Sequence, residues 1–124
     1  MEKEFIPYEE ALALKELGFD ELCFGFYNNA DGNVWIKHTV DESIKSIYTG
    51  DFEAPLYQQA FRWFREKYNL YSYVEAYGER FIYQIKPHIL KHYNEGENYV
   101  FDTPEETHLA CLKKLIEIIK DKNG

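Results

Sequence analysis

Four histidines, two cysteines and eleven tyrosines are the residues of this chain with chemistry to offer. His88 and His92 stand four apart, with Glu95 and Glu97 just downstream. On a helix that spacing turns two imidazoles to one side, within reach of a zinc ion, with Glu95, Glu97 or His38 as a third ligand. The local sequence opposes such a site. Pro87 precedes the pair, Asn94-Glu95-Gly96-Glu97 follows it, and any helix between them would be very short. There is no HExxH pattern, and glutamates in a glycine-containing turn lack the outer shell that orders a metal ligand. The expectation is two exposed loop histidines, with no metal and no other cofactor.

Cys23 and Cys111 share no CxxC spacing, and no second pair completes a zinc set. Cys111 falls within Ala110–Leu115, ACLKKL, where a cysteine acts as a small hydrophobe. A nucleophilic role for either thiol needs a base that the sequence does not place beside it. Both are expected to be reduced and unpaired. Glu9 and Glu10 are adjacent on a helix, so they point about 100° apart and make no acid–base pair. GxGxxG, GxxxxGK[ST] and GxSxG patterns are all missing. The chain is accordingly expected not to be an enzyme.

The rings remain. The chain carries 9 Phe, 11 Tyr and 2 Trp, or 18% aromatic, which is the anomaly of its composition. Tyr71, Tyr73 and Tyr77 alternate along one strand, and with Tyr83 they are expected to form an aromatic sheet face. Half-exposed tyrosines suit protein-binding surfaces, because they combine a large rigid area with a polar tip. The bland alternative is that a helix covers this face. Arg62, Arg65 and Lys67 stand among Phe61, Trp63 and Phe64, but on a helical wheel the arginines face away from these rings. The stacking platform of a single-stranded nucleic-acid binder is therefore not expected.

Three helices would position these residues, and each opens at a proline, whose missing N–H costs nothing there. The first is expected from about Pro7 to Leu17, stopped by Gly18, with Ala11, Leu14 and Leu17 on one side. The second runs from about Pro55 to Tyr68. Its stripe of Leu56, Tyr57, Ala60, Phe61, Trp63, Phe64 and Tyr68 marks it as the central core helix, with Phe61 and Phe64 almost fully buried. The third runs from about Pro104 to Lys120. Thr103 and Glu106 have capping-box spacing, Leu109 to Ile119 supply the apolar half, and Lys113 and Glu117 form a pair on the polar half. His108 is expected to be partly buried, its ring hydrogen-bonded to a neighbour.

Between the helices, Leu22–Tyr27 and Val34–Val40 alternate around a loop containing Asp31-Gly32, which reads as a hairpin. Residues 41–53 read as loop. Tyr71–Tyr77 and Phe81–Ile85 flank Gly78-Glu79 as a second hairpin, and Asn98–Phe101 is a short strand candidate. The fold class is α+β, in the order α-β-β-α-β-β-(β)-α, with four to five antiparallel strands in one sheet and helices mainly on one face. The two αββ stretches could form a loose internal repeat.

At 124 residues, one domain spanning 1–124 is expected. The 14 Lys+Arg against 22 Asp+Glu give a net charge of −8, which argues against a nucleic-acid binder held by bulk charge. Met1–Glu10, MEKEFIPYEE, has neither the basic nor the apolar stretch of a signal peptide, and no run approaches the ~18 apolar residues of a membrane span. A cytoplasmic location is expected.

Glu4–Glu21 (EFIPYEEALALKELGFDE), Ala54–Leu70 (APLYQQAFRWFREKYNL) and Glu106–Lys120 (ETHLACLKKLIEIIK) together resemble a family of short uncharacterised proteins encoded by phage, prophage and mobile elements of gut bacteria. The chain departs from the family pattern at Leu22, where a proline is expected, and at Thr107-His108, where an Ala-Glu pair is expected. No functional residues carry over. The resemblance implies a small accessory protein of mobile genomes. The function expected from all this is a non-enzymatic module that binds a protein partner. The alternatives are an acidic decoy of a host nucleic-acid-binding protein and, behind it, a small enzyme.

Overall fold

The structure is a computed structural model that describes residues 2–37, 51–86 and 100–123. The fold is α+β, with three α-helices and small antiparallel sheets. The chain divides into two compact units, Met1–Ala60 and Phe61–Gly124. Among the described residues the strands form two separate sheets, of three strands and of two, where the sequence reading has one sheet of four or five.

The first unit holds a 3-10 turn (Glu2–Glu4), α1 (Tyr8–Glu16), β1 (Gly25–Tyr27), β2 (Val34–Ile36) and β3 (Phe52–Ala54). Helix α1 stops as expected. Gly18 takes φ 102°, its N–H donates to the Lys15 carbonyl, and the Phe19 N–H donates to the Leu14 carbonyl at 2.9 Å. Those two bonds satisfy carbonyls that the helix end leaves open, and Phe19 is buried as its chain turns back. The sheet order is β2-β1-β3, with β1 antiparallel to both neighbours.

Strand β3 overlaps the end of the stretch, 41–53, that the sequence reading assigns to loop. Three residues give too little alternation to betray a strand, and its pairing partner is distant in sequence. It supplies Phe52, which forms a ring cluster with Tyr8 and Tyr27, centroids 5.1 to 5.8 Å apart, with Tyr8 edge-on to both of the others. The Tyr27 hydroxyl donates to the Ile6 carbonyl at 2.6 Å, which satisfies the polar end of a buried ring.

In the second unit α2 (Tyr57–Tyr68), whose first turn belongs to the first unit, leads into β4 (Tyr71–Tyr77), β5 (Arg80–Lys86) and α3 (Pro104–Asn123). Asn69 ends α2 in the left-handed region, φ 58°, with its N–H on the Arg65 carbonyl. Phe64 is fully buried and Trp63 nearly so, but Phe61 is only half-buried, against the expectation for it. Phe61 sits at the edge of the stripe, against the ring of His108 at 5.9 Å. Lys67, the one residue that breaks the apolar stripe, lies over the rings of Trp63 (5.0 Å) and Tyr68 (5.6 Å), so its charge is used where it stands.

Helix α3 has the expected cap. Thr103 Oγ1 accepts from the Glu106 N–H at 3.1 Å and donates to the Glu106 carboxylate at 3.0 Å. Cys111, Leu112, Leu115, Ile116, Ile118 and Ile119 are buried along it, and Leu109 is half-buried. Glu117 pairs with Lys114 at 3.2 Å, three residues away, rather than with Lys113. Phe101 makes an isolated antiparallel bridge to Phe81; residues 98 and 99 of the expected strand lie outside the described residues. Among the described residues the two units also differ in strand order: the first strand after the helix is central in one, whereas in the other it is at the edge.

Candidate protein-binding face

The β4–β5 ladder fixes which residues share a face. The loop between the strands has two residues, Gly78 and Glu79, and Gly78 takes φ 65° at the first of them, as a II′ hairpin turn requires. Tyr77 therefore pairs with Arg80, and every pair up the ladder joins an odd-numbered residue to an even-numbered one. Tyr71, Tyr73, Glu75 and Tyr77 share one face with Lys86, Gln84, Ile82 and Arg80.

Tyr71, Tyr73 and Tyr77 are 39%, 51% and 61% exposed. Tyr83 does not join them. It pairs with Val74, which puts it on the opposite face with Phe81 and Ile85, and it stacks on Phe101 with centroids 6.3 Å apart. The structure thus brings together three of the four expected tyrosines. The parity of a two-residue loop, read through the ladder, is the sequence signal that separates Tyr83 from the others.

Two contacts order the exposed face. The Gln84 side-chain amide donates to Glu75 Oε1 across the strands at 2.6 Å. The Arg65 guanidinium, at the end of α2, lies 6.0 Å from the Tyr71 ring centroid. Arg65, which the wheel sets away from the rings of its own helix, thus meets a ring of the next strand.

A second set of exposed apolar residues, missed in the sequence reading, lies in the first unit: Leu22, Phe24, Trp35 and Ile36. The alternation of residues 22–27 is as expected, but the buried side carries the small residues Cys23 and Gly25 together with Tyr27. Gly25 explains the choice. A Cβ there would meet the Trp35 carbonyl oxygen at 2.9 Å and the Phe5 ring at 3.2 Å, so the strand must present glycine where Phe5 packs. Beside it, Glu53 Oε1 accepts from the Cys23 N–H at 2.9 Å and from Lys37 Nζ at 2.6 Å. An open surface pocket of about 600 Å³ adjoins the hairpin loop, lined by Tyr27, Asp31, Gly32, Asn33, Val34 and Trp35. Asp31 is already engaged there, accepting from the Asn33 N–H (2.9 Å) and the Trp35 indole N–H (3.3 Å).

Burial holds both cysteines and His108 toward their neutral forms. Burial pushes the Cys23 thiol up to about 12, with the nearby Glu53 adding to it, and burial pushes Cys111 up to about 12 as well. Both are free and buried, so both are thiols rather than thiolates at neutral pH. Burial lowers the pKa of His108, against weaker upward pulls from Glu105 and a hydrogen bond with the Pro104 backbone. Among the described residues no three His, Cys, Asp or Glu side chains are grouped to hold a metal. His38, His88, His92, Glu95 and Glu97 lie outside the described residues. No described helix is long and apolar enough to cross a membrane. No protein-family model, curated protein or solved structure matches this chain.

Proposed function

We propose that this chain is a non-enzymatic protein-binding module whose partner docks on the face of Tyr71, Tyr73 and Tyr77. The observation that carries this reading is the exposure of three tyrosines at alternate positions of one strand, all on one side of a ladder with unbroken register. A tyrosine ring offers a large contact area, loses little side-chain entropy on binding, and keeps a hydroxyl for a polar partner. Arg65 over Tyr71 and Gln84 on Glu75 hold neighbouring side chains in place before a partner arrives, which lowers the ordering cost of binding. The resemblance to proteins of phage and mobile elements makes a host protein the partner, met in the bacterial cytoplasm.

Capture from host lysate by the wild-type chain and by the double variant Tyr73→Ser/Tyr77→Ser tests this, with circular dichroism to confirm that both are folded. The reading predicts a protein retained through a high-salt wash by the wild type and lost by the variant. Equal retention by both contradicts it. The second reading is an acidic decoy of a nucleic-acid-binding host protein, a role for which the net charge of −8 is modest. That reading predicts that salt alone releases the captured protein, whichever chain holds it.

A further inference from the structure

We infer that the free edge of β4 pairs with the β4 edge of a second copy of this chain, joining two hairpins into one four-stranded antiparallel sheet. The inference concerns the edge of the ribbon and stands apart from the reading of its tyrosine face.

The direction of the backbone groups comes first. The Phe81 N–H donates to the Phe101 carbonyl at 2.9 Å, and the Phe101 N–H donates back to Phe81 at 2.8 Å. Phe81 thus turns its backbone groups away from β4. Its ladder partner is Ala76, so Ala76 turns its own groups away from β5, and by alternation so do Val74 and Ser72. Among the described residues no strand pairs with that edge. Three N–H and three C=O groups therefore line a seven-residue edge.

Such an edge is normally blunted by lysine, proline, a bulge or brevity. Strand β4, Tyr-Ser-Tyr-Val-Glu-Ala-Tyr, has no lysine or proline and an unbroken register, and its one charge, Glu75, is held on the solvent face by Gln84. Strands β2 and β3, at the edges of the other sheet, are only three residues long.

The strand is also close to palindromic about Val74. In an antiparallel pair centred there, Ser72, Val74 and Ala76 face Ala76, Val74 and Ser72 of the second copy, and all the outward groups of both strands find partners. Small residues oppose small ones on the side that faces α3. On the solvent side Tyr71 opposes Tyr77, and Tyr73 opposes Glu75. Sliding the pair to centre on Glu75 would set two carboxylates directly opposite, which is unfavourable. The Val74 register avoids this and uses the whole strand. Among the described residues helix α3 packs more on β5 than on β4, toward the side of the ribbon away from that edge. The interface has a twofold axis through Val74 and closes on itself, as an isologous dimer must.

The experiment is light scattering of the eluting full-length chain over a dilution series, with hydrogen exchange read at single amides. The wild type is expected at twice the 14.8 kDa chain mass, with the Ser72, Val74 and Ala76 amides exchanging more slowly as concentration rises. Val74→Pro removes an N–H that points away from β5, so it costs no β4–β5 bond, and it is expected to elute as a monomer. A wild type that stays monomeric throughout overturns the inference, as does a folded Val74→Pro that remains dimeric. Where that variant does not fold, the wild-type exchange decides: rates at Ser72, Val74 and Ala76 that do not change with concentration overturn it.

Discussion

Tyr83 and Val74 stand opposite each other across the β4–β5 ladder, and that one pairing divides the tyrosines of this hairpin into two roles. Tyr83 stacks on Phe101 on the side facing α3, whereas Tyr73 projects into solvent. Tyr83→Ala is therefore expected to cost about 1–3 kcal/mol of stability. Tyr73→Ser is expected to stay within about 0.5 kcal/mol of wild type. Urea unfolding midpoints at constant slope measure both. Equal losses would contradict this division of the two faces.

The stripe of α2 is not uniform. Phe64→Ala is expected to cost ~3–5 kcal/mol, the range for a fully buried ring, because its surroundings cannot collapse into so large a void. Phe61→Ala, at the half-buried edge beside His108, is expected to cost about half as much or less. Thermal or urea unfolding of the two variants side by side checks the order, and a reversed order contradicts it.

Much of this was legible from local signals. Thr103 and Glu106 announce α3, Gly18 stops α1, and Gly78-Glu79 turns the second hairpin, because each signal acts within one turn of chain. The apolar positions of α3 were readable for the same reason: a 3.6-residue period needs only the helix itself. What sequence could not supply was non-local. Strand β3 exists because β1 lies beside it, and Leu22 and Phe24 are outside because Phe5 claims the space over Gly25. Tyr83 is the intermediate case, since the loop length that fixes its face is written in the sequence.

Gly25 gives a direct check of that packing. Gly25→Ala is expected to lose about 1–3 kcal/mol, since the new methyl group must displace a strand carbonyl and the Phe5 ring. Phe5→Leu in the same chain should recover part of the loss by vacating ring atoms. A double variant no more stable than Gly25→Ala would show that the Trp35 carbonyl, and not Phe5, sets the constraint.

Stability should fall in mild acid through His108. Its pKa in the folded chain lies below the ordinary 6.5, first because burial disfavours the charged ring. As pH drops below 6.5 the unfolded chain binds this proton before the folded one does, so folding loses free energy there. Above 6.5 both states hold the ring neutral and the contribution is complete. Between pH ~8 and pH ~5 the urea midpoint of His108→Gln should fall less than that of the wild type. An identical fall in both would remove His108 from the account.

The central claim is that the Tyr71, Tyr73 and Tyr77 face meets a protein, and a photo-crosslinking side chain placed at position 73 tests it most directly. Lys113, on the exposed face of α3, is the control position. Irradiation in host cells is predicted to give one discrete adduct heavier than the chain and its dimer from position 73, and none from position 113. No adduct from position 73, or the same adducts from both positions, would contradict the assignment of this face.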